Sequence, residues 1–190
     1  VNQSTQHLDW ANSAGWDPYT RCLYFYGAGH LVQPAFIRLC ENTLKWTYEV
    51  RPKSINYTDS NVWTWAMHAY STNAMDTDKG IHYLIRFGSL FAYDTRSGAW
   101  TQDPGSSRNA SQYWGTRTIA YFKGMGLIEA TTDDATVALY NDQTKTWTML
   151  VSNLANFNSG YATARYNPAS NVMIFGSTAG SSLYKLTADH

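Results

Sequence analysis

The sequence predicts an all-β fold, a β-propeller of four-stranded antiparallel blades, about three and a half of which are present. Three observations carry this. Residues 68–100 read as one complete unit of four short strands joined by tight turns. A tryptophan recurs at Trp46, Trp100 and Trp147, spaced 54 and 47 residues apart, each seven positions after the last residue of an apolar strand. The segments upstream of those strands repeat too, and self-similarity at such a period is the signature of stacked supersecondary units.

In the clearest unit, Asp76-Thr77-Asp78-Lys79-Gly80 carries turn chemistry, because Asp bonds its own backbone and Gly supplies a positive φ. The following run, Ile81 to Phe87, is β-branched and aromatic and reads as a strand. Gly88-Ser89 permits a reversal into Leu90-Phe91-Ala92-Tyr93, and Asp94 to Gly98 turns the chain again before Trp100 opens a fourth strand. The same order recurs elsewhere. Val1 to Leu8 is polar, and either hangs free or supplies a closing strand. Blade one covers about 9–50, with Leu23 to Gly27, a loop at 29–34, Phe36 to Leu39 and Trp46. Residues 51–66 form the longest connection, leading to Val62-Trp63-Thr64-Trp65. Blade two covers 67–103, and the linker Asp103 to Arg108 leads through Gln112-Tyr113-Trp114 to blade three at 116–151. Blade four, 159–190, stops before the tryptophan that its alignment would place at position 193. The whole chain, 1–190, is read as one propeller segment. Three arrangements answer the open edges: a segment of a six- or seven-bladed protein (the reading favoured here), a four-bladed ring closed by the N-terminal residues, or a ring completed by other subunits.

The pattern resembles the kelch-type β-propeller family, to which the central domain of galactose oxidase also belongs. The residues that carry the resemblance are the glycine ending the second strand, Gly27, Gly88 and Gly176, and the element Tyr93-Asp94 to Trp100, repeated as Tyr140-Asn141 to Trp147. Blade one departs from it, with Leu39-Cys40 in place of Tyr-Asp and Gly27-Ala28-Gly29 in place of a double glycine. The resemblance implies a propeller. It does not bring oxidase chemistry, since the copper-holding Tyr and His and the Cys-linked Tyr have no matching positions.

The 190 residues hold 14 basic and 14 acidic side chains, so no net field favours nucleic acid or an anionic membrane. Charged residues make up 15%, below the roughly 25% of average soluble proteins. No run reaches the ~18 apolar residues of a membrane-spanning helix. G-x-S-x-G, H-E-x-x-H and phosphate-binding glycine loops are absent from the sequence. Asn2, Asn56 and Asn109 match the N-glycosylation pattern, as chance matches would in so Asn/Ser/Thr-rich a chain. Cys22 and Cys40 are the only cysteines. A register borrowed from blade two sets Cys40 opposite Tyr24 and diagonal to Cys22, leaving a disulfide or two buried thiols open.

A residue repeated in every blade serves what every blade needs, so Trp46, Trp100 and Trp147 are read as packing residues. The non-repeated aromatics in inter-blade connections are the binding candidates: Tyr57, Trp63, Trp65, Tyr113 and Trp114, with Arg108 beside them. Exposed indoles stack on sugar faces; against this, Trp63 and Trp65 at period two would also suit the buried face of a strand. His7, His30, His68, His82 and His190 show no ligand spacing, and no metal or cofactor is expected. Asp17, Asp76, Asp94 and Asp142 are assigned to reversals, and Asp133-Asp134 to a hairpin tip. The expectation is a non-enzymatic recognition module for a protein or glycan, without nucleic-acid binding or membrane insertion, at a cell or particle surface. The alternatives are a glycan-active enzyme on the same scaffold and an intracellular kelch-type scaffold.

Overall fold

A computed structural model describes residues 14–27, 35–49, 72–86, 89–103, 116–157 and 160–189. These residues form four antiparallel sheets, the blades of a β-propeller. The first contains β1 (Gly15–Asp17), β2 (Cys22–Gly27), β3 (Ala35–Cys40) and β4 (Trp46–Tyr48). The second contains β5 (Asn73–Asp76), β6 (Ile81–Arg86), β7 (Ser89–Asp94) and β8 (Ala99–Asp103). The third contains β9 (Arg117–Phe122), β10 (Gly126–Thr131), β11 (Thr136–Asn141) and β12 (Thr146–Val151). The fourth has three strands among the described residues, β13 (Ala162–Asn167), β14 (Val172–Ser177) and β15 (Leu183–Thr187). Strands within each sheet follow chain order, and the innermost strands pack in succession, β1 on β5, β5 on β9 and β9 on β13.

Most of the described core lies between blades. A strand projects alternate residues to its two faces, and a blade flanked on both sides must be apolar on both. Blade two shows this: Tyr83, Leu84 and Ile85, consecutive on β6, are all buried. Tyr24, Tyr26 and Phe36 meet Met75, Leu84 and Phe91 between blades one and two. Tyr83, Ile85 and Leu90 meet Ile119, Leu127 and Tyr140 between blades two and three. Phe122, Ile128 and Val137 meet Ala164, Met173 and Phe175 between blades three and four, with Phe157 filling the seam. Blades one and two approach closely at Gly15, where a Cβ would sit 2.6 Å from the Met75 Cβ. Nearby, Asn73 bonds both backbone groups of Tyr26, accepting from its N–H and donating to its carbonyl at 2.9 Å each.

The recurring tryptophan has a definite geometric meaning. Seven residues after the last strand residue, it returns directly opposite that residue: Leu39 pairs with Trp46, Tyr93 with Trp100 and Tyr140 with Trp147. The two Tyr–Trp pairs are near copies, with ring centroids 5.1 Å apart at 48° and 49°. All three tryptophans are half-buried on outer strands; Trp100 and Trp147 pack against interblade clusters, and Trp46 against Phe25, Ala35 and Ile37 of its own blade.

The turns are equally regular. Asp17, Asp76, Asp94, Asn141 and Asn167 each accept backbone N–H bonds from residues two or three positions later. Four positions after each, the chain takes a positive φ: Arg21, Gly80, Gly98, Lys145 and Asn171. The assignment of Asp142 to this role is therefore corrected. Asn141 holds that turn, and Asp142 reaches across to blade two.

The cysteine register also differs from the expected one. Cys22 pairs directly with Cys40, and the two form a disulfide. The register borrowed from blade two, with Cys40 opposite Tyr24, is thus off by two residues, and Tyr24 pairs instead with Arg38. In blade one Gly27 pairs with Ala35, whereas in blade two Arg86, two positions before Gly88, pairs with Ser89.

Candidate functional site

The tight turns linking first to second and third to fourth strands gather on one face of the propeller. Between blades two and three they border a groove of about 420 Å³. Its lining comes from the Asp76–Lys79 turn, the turn at 124–126 and the Asn141–Gln143 turn, with Tyr83, Tyr121 and Tyr140 as the aromatic surfaces. Tyr83 and Tyr140 form the floor, both buried, with rings edge-on and centroids 6.3 Å apart.

The rim is charged and cross-linked between blades. Lys79 of blade two pairs with Asp142 of blade three. The Tyr121 hydroxyl donates to Asp78 Oδ2 at 2.7 Å, and Lys123 Nζ stands 3.8 Å from Asp78 Oδ1. The Tyr19 hydroxyl of blade one donates to the Asp78 carbonyl at 2.9 Å. Tyr140 points its hydroxyl outward along the blade and donates to Asp103.

Burial, together with nearby carboxylates, pushes the pKa of all three groove tyrosines above the ordinary phenol value. The carboxylates are Asp76 and Asp142 for Tyr83, Asp78 and Asp76 for Tyr121, and Asp103 and Asp142 for Tyr140. At neutral pH these phenols are therefore hydrogen-bond donors and poor bases. The pairing of Lys79 with Asp142 likewise raises the lysine pKa, chiefly through the direct hydrogen bond, and keeps it charged.

Four of the inner strands border a second cavity on the propeller axis, of about 280 Å³. It takes Trp16 from blade one, Asn73 and Thr77 from blade two, Tyr121 from blade three, and Arg165 and Tyr166 from blade four. Tyr121 thus separates the axial cavity from the groove.

The structure places the predicted residues unevenly. Tyr93 and Tyr140 serve equivalent ends: Tyr93 donates to Glu49 Oε2 at 3.3 Å, and Tyr140 to Asp103. In both, the acid stands three residues after the preceding blade's tryptophan, so each bond ties a blade to its predecessor. Burial, aided by Glu49, pushes Tyr93 up to about 12. At the third interface both partners change together, to Leu150 after Trp147 and Leu186 on β15, which belong to one apolar cluster. Gly27 ends β2, and a Cβ on Gly176 would meet Leu183 Cδ2 at 2.8 Å. Gly88, Tyr57, Trp63, Trp65, Arg108, Tyr113 and Trp114 lie outside the described residues. Asp133 and Asp134 sit in the β10–β11 hairpin and accept from Thr116, Thr131 and Thr136. Among the described residues no group of three His, Cys, Asp or Glu is arranged to hold a metal ion, and no helix is long and apolar enough to cross a membrane.

No family of proteins defined by sequence matches the chain, and no curated protein matches it either. Solved structures do. An auxiliary nutrient binding protein from Bacteroides thetaiotaomicron matches 91% of the chain over 37% of its own, with TM-score 0.61 and 10% identity. A protein of unknown function from the same bacterium matches 90% over 39% of its own, with TM-score 0.56 and 17% identity. TolB from Acinetobacter baumannii matches 92% over 43% of its own, with TM-score 0.51 and 12% identity. The likeness is one of fold, and the chain spans less than half the length of each of these proteins.

Proposed function

We propose that this chain is a recognition module of the kelch-type propeller kind, which binds a glycan in the groove between blades two and three. The observation that carries the reading is the groove itself: tyrosine rings below a rim of paired charges, with Asn141 and Gln143 beside them. Sugar C–H faces pack on such rings, while hydroxyls exchange bonds with carboxylates, amides and ammonium groups. The raised tyrosine pKa values keep all three phenols protonated at neutral pH, as neutral aromatic surfaces for a ligand. The aromatic residues Trp63, Trp65, Tyr113 and Trp114 of the inter-blade connections are the second candidate for the ligand surface in this reading.

The disulfide supports an oxidising setting, outside the cytoplasm, for the module's work. A glycan array probed with this chain, its Gln143→Ala/Asp142→Asn variant and its Trp63→Ala/Trp65→Ala variant tests the assignment. Specific binding that falls at least tenfold in the groove variant, with melting temperature held, is expected. Specific binding that survives in the groove variant and disappears in the tryptophan variant moves the site to the loops. A silent array from folded protein removes the glycan reading.

A further inference from the structure

We propose that the axial cavity is a second binding site, in which Arg165 receives the carboxylate of a small sugar acid. This inference is independent of the groove. The two cavities share Tyr121, but its hydroxyl is turned to Asp78 in the groove, which leaves its ring as a wall.

The first observation is what Arg165 lacks. Arg21 pairs with Glu41, Arg38 with Glu49 and Arg117 with Glu129, while Arg96 lies 4.0 Å over the Tyr19 ring. Arg165 alone among the arginines with described side chains meets neither an acid nor an aromatic face. Its Nη1 donates to the carbonyl of Ala164, its own chain neighbour, at 2.9 Å. A guanidinium carries five donors in a planar fork, so most of that capacity is uncommitted. Its side chain stands solvent-exposed on the cavity wall, where partial desolvation draws its pKa below the ordinary arginine value.

The second observation is the wall chemistry. Among the described residues Arg165 is the only charged one lining the cavity; the rest are aromatic, apolar or neutral polar. Trp16, Tyr121 and Tyr166 offer ring surfaces around it, and Thr77 a hydroxyl near the mouth. A cavity of about 280 Å³ suits a ligand of one ring rather than a polymer segment. A ring with C–H faces, hydroxyls and one carboxylate uses each of these features: the faces on the indole and phenol, and the carboxylate in the bidentate fork. A hexuronic acid is the simplest such molecule.

The test is calorimetric titration of this chain with sodium glucuronate, glucose and sodium sulfate at low ionic strength. Saturable glucuronate binding is expected in the millimolar range, with glucose silent and sulfate at least tenfold weaker. Arg165→Gln is expected to weaken glucuronate binding at least tenfold, and Arg165→Lys, which keeps the charge but loses the fork, by about threefold to tenfold. Asp142→Asn leaves it unchanged, which separates this site from the groove. Circular dichroism checks that each variant is folded. Undetectable glucuronate binding at 50 mM ligand overturns the proposal. So does a folded Arg165→Gln protein that binds glucuronate within twofold of the parent, or glucose binding as tightly. Sulfate binding equal to glucuronate reduces the cavity to an anion hole and overturns the sugar-acid assignment.

Discussion

His82 gives the sharpest test of the interblade core. It is the second residue of β6, fully buried, and neither ring nitrogen has a hydrogen-bond partner. Phe36, Tyr24 and Trp100 surround it, with ring centroids 5.3, 6.4 and 6.4 Å away. Burial pushes its pKa from 6.5 down to about 3. The unfolded chain therefore binds a proton between those values that the folded chain does not, and stability must fall as pH falls through this window. By pH 5 the loss amounts to about 2 kcal/mol, a proton being taken up by the unfolded state alone for about 1.5 pH units at ~1.4 kcal/mol each. His82→Phe replaces the imidazole by a ring with nothing to protonate. Urea unfolding at pH 8, 7, 6 and 5 should show parent stability dropping by about 2 kcal/mol over this range, and the variant's dropping by clearly less. Described carboxylates with lowered pKa values, Asp17 and Asp94, act only below their ordinary 3.8 and leave the window clean. In Asp17 the hydrogen bonds to the carboxylate outweigh desolvation, the largest single influence and one of opposite sign. Equal pH slopes for the parent and His82→Phe would refute the reasoning.

Two further outcomes concern the hairpins. The disulfide closes a separation of 18 residues, so Cys22→Ala/Cys40→Ala, or reduction, should destabilise the protein by about 3 kcal/mol. Scanning fluorimetry with and without reductant reads this as a fall of several degrees, and coincident melts would show that the crosslink contributes nothing. Lys145 holds φ at 59° where the equivalent position in blade two is Gly98. Lys145→Gly should raise stability by about 0.5–1 kcal/mol, the relief of left-handed strain exceeding glycine's added freedom when unfolded. Gly98→Lys should do the reverse, and a melting temperature unmoved in both would show that the two turns tolerate side chains equally.

Blade architecture was legible because it depends on short-range periodicity. The seven-residue step from Tyr93 to Trp100 is a hairpin register, and any chain that repeats it repeats the hairpin. The disulfide was not legible from the register borrowed from blade two, because the connection between β2 and β3 (28–34) is longer than that between β6 and β7 (87–88). The groove was hidden for another reason. Its parts lie on turns 63 residues apart, as in Lys79 and Asp142, and each looks like ordinary turn polarity when read alone. One signal was available: Asp94 and Asn141 both stand six residues before a tryptophan, which identifies Asn141 as the turn holder and frees Asp142 for another partner. The acid three residues after Trp46 and Trp100 is a second signal, readable only when paired with the next blade's tyrosine. The axial Arg165 carried no pattern at all, since nothing in the sequence shows that it will lack a counter-ion.

The tyrosine–carboxylate bond also bears on how such a chain could grow. Glu49 and Tyr93 belong to different sheets, as do Asp103 and Tyr140. A gene duplication that copied one sheet, first strand to last, would join an acid to whatever residue the next copy presented, and only a tyrosine there would leave the joint satisfied. Donor and acceptor must therefore be kept together across each sheet boundary. The joint between the third and fourth sheets does without the bond and carries leucine on both sides. Circular rearrangement or blade exchange by an engineer meets the same grammar, and grafts that respect it must keep each acid in frame with the tyrosine that follows.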